Sequence, residues 1–243
     1  MDCMKKNIAK DTKIVAVIKT DGYGHGAVRI AKQLEDIPYV WGYAVATAEE
    51  ALILRHAGMQ KPILILGYTF PYCYEELIRE EIRPAVYRRD TVEELVAAAA
   101  KVGQKAKVHI KVDTGMGRIG ITPDEEGLEF VRFLMGHPEL EVEGIFTHFA
   151  VSDEPDADSR DYTEKQLALF RRVIDAVEAK RGQRFVIRHC ANSGGVASYP
   201  ETYMDMVRPG ILLYGCGDLV EKLGLHPVMA LKTTVSTIKT YEP

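Results

Sequence analysis

Short apolar, β-branched runs alternate with segments whose apolar residues recur at helical spacing. Strands are predicted to begin near Ile14, Tyr39, Pro62, Ile82, Lys107, Leu140, Phe185 and Met204. Between them Thr47 to His56 reads as a helix, with Thr47 as N-cap and Glu50 closing a capping box, and so do Thr91 to Val102 and Ser159 to Lys180. Gly58, Gly103 and Gly182 follow these three helices. Runs that are apolar on both faces, such as Val15 to Ile18, suit a parallel sheet covered by helices. About eight strands with helices between them predict an α/β fold, a TIM (β/α)8 barrel; a doubly wound open sheet shares much of the pattern but fits the strand count less well.

Past Gly215 the texture changes. Residues 1–215 are assigned to the barrel, and 216–243 to a linker and the first strand of an incomplete C-terminal β domain. Met229 to Thr240 is threonine-rich with partial alternation, which predicts a residual strand outside the barrel. A lone strand is an aggregation hazard, so this reading expects a chain cut short; the alternative is a strand that pairs across a dimer.

The bulk numbers narrow the function. With 243 residues, 47% of them hydrophobic, the chain can bury one large core. A net charge of −4 with scattered lysines and arginines gives no basic field, so nucleic acid is not an expected partner. Cys3, Cys73, Cys190 and Cys216 lie far apart without metal-ligand spacing and read as reduced thiols, with no structural metal. No apolar run has the length of a membrane span or the form of a signal peptide, and the cytoplasm is the expected location.

The candidate chemistry begins in VAVIKTDGYGHGA, where an apolar strand delivers Lys19 into a turn with glycines at 22, 24 and 26. Burying an ammonium at a strand end favours its neutral, nucleophilic form, and the glycines let backbone approach a ligand closely. Lysine and tyrosine on one loop, here Lys19 and Tyr23, suit pyridoxal 5'-phosphate, with the lysine as Schiff base and the phenol toward the phosphate. The segment resembles the cofactor signature of the alanine racemases, fold-type III pyridoxal enzymes. HIKVDTGMGRIG, THFA and VRPGILLYG are similar to further stretches of that family, in the same order, over about Ile14 to Gly215.

The resemblance implies the remaining roles. Arg118 contacts the cofactor's phenolic oxygen and helps to orient the substrate carboxylate. Lys111 is the family's carbamylated lysine, paired with this arginine; read from the residues alone, Lys111 and Asp113 could equally form an ion pair inside the barrel. His148 packs on the cofactor's face without moving a proton. Asn192 and Ser193 begin a short helix after strand seven, and with Gly210 and Ile211 they fall where a barrel of this type binds phosphate. Arg208 stands against the pyridine nitrogen, where it cannot accept a proton, so returning a proton to Cα is favoured over transamination. His189 lies behind Arg208 and links it to the catalytic tyrosine of the partner subunit.

The implied activity is racemisation of L- and D-alanine, a small-molecule amino-acid substrate, to supply peptidoglycan, by a homodimer of the intact enzyme. Two-base racemisation needs a lysine on one face of Cα and a tyrosine on the other. In the family that tyrosine belongs to a second, β-rich domain; Tyr241 is not it. This chain is therefore expected to bind cofactor with weak activity at best. The alternatives are a non-catalytic barrel that binds pyridoxal phosphate for its homeostasis, a serine racemase of the same family, and a barrel decarboxylase, which Arg208 argues against.

Overall fold

The computed structural model describes residues 1–216 and 219–242. The strands are β1 (Lys13–Val17), β2 (Val40–Val45), β3 (Ile63–Ile65), β4 (Ile82–Val86), β5 (Ala106–Lys111), β6 (Leu140–Phe146), β7 (Ile187–His189) and β8 (Met206–Val207). The helical segments are α1 (Asp2–Asn7), α2 (Lys19–Tyr23), α3 (Ala27–Leu34), α4 (Ala48–His56), α5 (Tyr74–Arg79), α6 (Arg89–Val102), α7 (Glu125–Met135), α8 (Ala157–Arg181) and α9 (Ser193–Ser198). All eight strands are parallel, in the order β7-β6-β5-β4-β3-β2-β1-β8. Asp205 N donates to Arg188 O at 3.1 Å and Arg208 N to Ala191 O at 2.8 Å, so the two ends of the sheet meet and the barrel closes. Every predicted strand start falls within two residues of the observed one.

Strand alternation divides the side chains between two cores. Ile14, Ala16 and Ile18 point outward and pack under the helices, whereas Val15 and Val17 point inward and meet Ala44, Leu64, Ile187 and Met206. The opposite half of the interior is polar. Arg83 on β4, His109 and Lys111 on β5, His189 on β7 and Arg208 just after β8 are all buried. Polar side chains at inward positions of apolar strands are where such a barrel departs from a pure packing solution.

Two expectations change. The capping box of α4 is only half made: Thr47 Oγ1 accepts from Glu50 N at 3.4 Å, but the Glu50 carboxylate turns elsewhere. The residual strand over Met229 to Thr240 does not form among the described residues. Val228 N still donates to Tyr214 O at 3.0 Å, but beyond it Leu231, Val235 and Ile238 are exposed. Alternation becomes a strand only when a neighbouring ladder takes up its N–H and C=O groups, and this stretch has none. No helix among the described residues is long and apolar enough to cross a membrane, and no cluster there could hold a metal ion.

Candidate active site

A cavity of about 430 Å³ opens at the C-terminal ends of the strands. Its wall brings together Lys19 and Tyr23 after β1, Lys111 and Arg118 from β5 and its loop, and His148 after β6. Asn192 and Ser193 come from the start of α9, and Arg208, Gly210 and Ile211 follow β8. His189, the remaining residue singled out from sequence, stands directly behind Arg208.

The turn bearing Lys19 is of the wrong hand for an α-helix. Thr20 (φ 55°, ψ 50°), Asp21 (50°, 47°) and Gly22 (64°, 41°) are left-handed, and Tyr23 and Gly24 also have positive φ. For a residue with a Cβ this conformation costs about 1–2 kcal/mol, so Thr20, Asp21 and Tyr23 store strain beside Lys19. Hydrogen bonds hold it: Gly22 N to Ile18 O, Gly24 N to Thr20 O and Gly26 N to Asp21 O. Asp21 Oδ1 also accepts from Ala27 N at 2.8 Å, at the start of α3.

The turn lays the Tyr23 ring beneath Lys19, whose Nζ is 5.8 Å from the ring centroid. Tyr214, which the sequence reading did not single out, supports that ring at 5.1 Å and stacks on His25 at 4.5 Å. Its hydroxyl donates to Val17 O. Burial pushes both phenols up, so both stay protonated at neutral pH.

Opposite Lys19, a run of buried side chains crosses the barrel. The Arg208 guanidinium donates to His189 Nδ1 at 3.0 Å, to Thr147 O at 2.6 Å and to Cys190 O at 3.1 Å. His189 meets His109 Nδ1 through Nε2 at 3.0 Å, and His109 Nε2 meets Glu143 Oε2 at 3.1 Å. Arg83 donates to Glu143 from the far side at 3.1 Å. Because a guanidinium can only donate, His189 Nδ1 must accept, its Nε2 must carry the proton, and His109 is forced into the same tautomer with Nε2–H toward the carboxylate.

Burial lowers both histidines, joined by the Arg208 charge at His189 and prevailing at His109 over the opposing pull of Glu143, so both are neutral. Burial alone would raise Glu143, but hydrogen bonds from His109 and Arg83 and the Arg83 charge bring it down to about 2. Burial also brings Arg208 down to about 10, which leaves it cationic at neutral pH. Both ring nitrogens of His189 are thus used within the chain. Within the chain His189 links Arg208 to His109 and so to the barrel interior.

Lys111 and Asp113 are not an ion pair. Lys111 Nζ donates to Val112 O at 3.0 Å, while Asp113 Oδ1 accepts from Gly115 N and Gly117 N and shapes the Arg118 loop. Burial, with the charges of Arg208 and Arg118, brings the Lys111 ammonium down to about 7 against a weaker opposing pull from Asp113. Helix α8 braces this side: Tyr162 OH donates to Gly115 O, and the buried Gln166 holds His148 O and Ala150 N.

The Asn192 amide caps α9 through Gly195 N, accepts from Ser152 Oγ and donates to Phe149 O, which fixes its orientation at the cavity wall. Ser193 Oγ accepts from Gly210 N at 3.0 Å and from Leu212 N at 3.4 Å. A Cβ at Gly210 would stand 2.6 Å from Tyr23 Oη, so the phenol, the hydroxyl and these amides share one corner of the cavity.

A parallel (β/α)8 barrel with a cavity at its C-terminal rim, lined here by Lys19, Lys111, Tyr23, Arg118 and Arg208, has its ligand site where barrels of this class place it. Residues 1–218 match the family model described as alanine racemase, N-terminal domain, and the chain belongs to that family. Its cofactor is pyridoxal 5'-phosphate. An alanine racemase of Desulforamulus reducens is 43% identical over 240 residues, covering 97% of this chain and 64% of its own length. An alanine racemase structure from Clostridium difficile 630 has a TM-score of 0.88 at 38% identity, with 93% of this chain and 59% of that one covered. A second structure of that racemase, in complex with cycloserine, also has a TM-score of 0.88, at 39% identity, with 93% of this chain and 62% of that one covered. The chain thus spans under two thirds of the length of these relatives.

Proposed function

We propose that this chain is the cofactor-binding barrel of an alanine racemase, residues 1–215, followed over 216–243 by the beginning of a β domain. The observation that carries this reading is the meeting, in one cavity, of Lys19 over Tyr23 with Arg208 held by a neutral histidine. The cavity suits the family's cofactor: its volume is in the range of ligand sites, and its groups are mostly donors and cations, as a planar phosphate ester requires. When bound, pyridoxal phosphate supplies an electron-accepting ring that eases loss of the Cα proton of an amino acid.

Lys19 would hold the cofactor aldehyde and then move the Cα proton at its Nζ. Tyr23, Ser193 and the amides of Gly210 and Ile211 would hold the phosphate. Arg208 would donate to the pyridine nitrogen, and the chain behind it, locked in one tautomer, keeps that group a donor. Arg118 would orient the substrate carboxylate, and His148 would pack on the ring. Burial and nearby cations hold His148 well below its ordinary value, which suits packing rather than proton transfer. The tyrosine opposite Lys19, the homodimer that delivers it, the cytoplasmic location and the supply of D-alanine to peptidoglycan complete the proposal; the relatives' names support the racemisation of alanine alone.

Incubation with pyridoxal phosphate and either alanine enantiomer in deuterium oxide tests it: deuterium should enter Cα in a Lys19-dependent way. Cofactor capture at Lys19 without exchange would instead favour a carrier. Gly210→Ala should push the Tyr23 phenol out of its corner and weaken cofactor affinity by about tenfold, from roughly 1–3 kcal/mol of overpacking; fluorescence titration reads this.

Lys111 is proposed as the site of carbamylation. Its neutral amine would add to carbon dioxide, forming an N–C bond and releasing one proton, and the resulting anion would sit between Arg118 and Arg208. Because only the neutral amine reacts, modification should rise through about pH 7. A carbamate carbon in the carbon-13 NMR spectrum under labelled bicarbonate, lost in Lys111→Met, is the expected result.

A further inference from the structure

Strands β1 and β2 part company just where Lys19 leaves the sheet. The last rung of their ladder is Ile18 N to Ala44 O at 2.9 Å. In a regular parallel ladder the next two rungs would be Ala46 N to Ile18 O and Thr20 N to Ala46 O. Neither forms. Ile18 O accepts instead from Gly22 N, inside the left-handed turn, and both stranded amides are taken by a single side chain. Glu50 Oε2 accepts from Ala46 N at 2.7 Å, and Oε1 accepts from Thr20 N at 2.6 Å.

This explains the half-made capping box. Glu50, in the first turn of α4, reaches past Thr47 to the end of β2 and across to the residue after Lys19. One carboxylate, with acceptor sites on both oxygens, replaces two backbone rungs at short, charge-assisted distances. The strands can then diverge without orphaned amides, and the chain can enter a conformation that Thr20 and Asp21 would not adopt unaided. Ala46, which carries one bonded amide, and Lys19, which precedes the other, both line the cavity.

We propose that Glu50 is a positioning residue for Lys19: its carboxylate stands in for the missing rungs and fixes where the left-handed turn begins, and so where the Lys19 amine lies. The proposal rests on the reading of Lys19 as the cofactor lysine, and its test has one arm that does not.

In the first arm, amide hydrogen exchange is followed on the cofactor-free chain by NMR. Glu50→Gln can accept through one oxygen only and turns its NH2 toward the other amide, so protection at Thr20 or Ala46 should fall about tenfold or more; Glu50→Ala should lose both. In the second arm, labelling of Lys19 by pyridoxal phosphate and borohydride should weaken about tenfold in Glu50→Gln and further in Glu50→Ala. Thr47→Ala is the control, because it removes the N-cap of the same helix without touching Thr20. It should label as the native chain does.

Unchanged protection and labelling in both Glu50 variants would overturn the proposal. So would a loss of labelling in Thr47→Ala as large as that in Glu50→Ala, since the effect would then be general helix stability. If the native chain itself is not labelled at Lys19, the cofactor reading fails, and the exchange arm alone decides whether Glu50 anchors the turn.

Discussion

Exchange of Lys19 for alanine should lower Cα exchange on alanine by about 10³-fold, the scale on which a positioned acid–base group accelerates a proton transfer. The fold should survive, because Lys19 sits at the cavity wall and is not part of the apolar core. Lys19→Arg is the sharper variant. A guanidinium keeps a long nitrogen-bearing side chain over the Tyr23 ring but stays protonated at any accessible pH, so it can neither condense with an aldehyde nor accept the Cα proton. Deuterium incorporation read by mass spectrometry, beside unfolding midpoints, separates lost chemistry from lost structure.

The largest effect on stability is expected from Glu143. Its carboxylate closes the run that begins at Arg208, and Glu143→Leu leaves the buried Arg83 guanidinium and His109 Nε2 without their acceptor. Breaking a buried pair in this way costs about 3–5 kcal/mol, which urea denaturation would register as an early midpoint at unchanged slope. The same residue sets a pH dependence. Glu143 is held at about 2 against an ordinary 4.5, so between those values the unfolded chain binds more protons than the folded one. Its contribution, about 3 kcal/mol, is therefore complete above pH 4.5 and is lost as the pH falls toward 2. Denaturation curves of Glu143→Gln should be flatter over that interval.

The barrel was legible because its strands announce themselves. A strand buried on both faces is an apolar run, and those at Val15, Ile63 and Val108 can be read directly, with the rim positions of Lys19, Arg118, His148 and Arg208 following from strand ends. The hand of the turn after Lys19 was not legible. Gly22, Gly24 and Gly26 hint at unusual dihedrals, but nothing local requires Thr20 and Asp21 to turn left; that depends on Glu50, thirty residues further on.

The interior polar run was hidden for a similar reason. His109 and Glu143 lie 34 positions apart and His109 and His189 lie 80 apart, so only barrel register unites them. A signal existed all the same: Arg83 and His109 interrupt apolar strands at inward positions, and buried polar groups need partners. Met229 to Thr240 shows the reverse failure, since alternation was read as a strand with no ladder to join.

Borohydride reduction of the chain with pyridoxal phosphate, followed by peptide mapping, tests the central assignment most directly. A single stoichiometric pyridoxyl group on Lys19, with Lys111 unlabelled, is the predicted result. Label spread over surface lysines, or none at position 19, would contradict it.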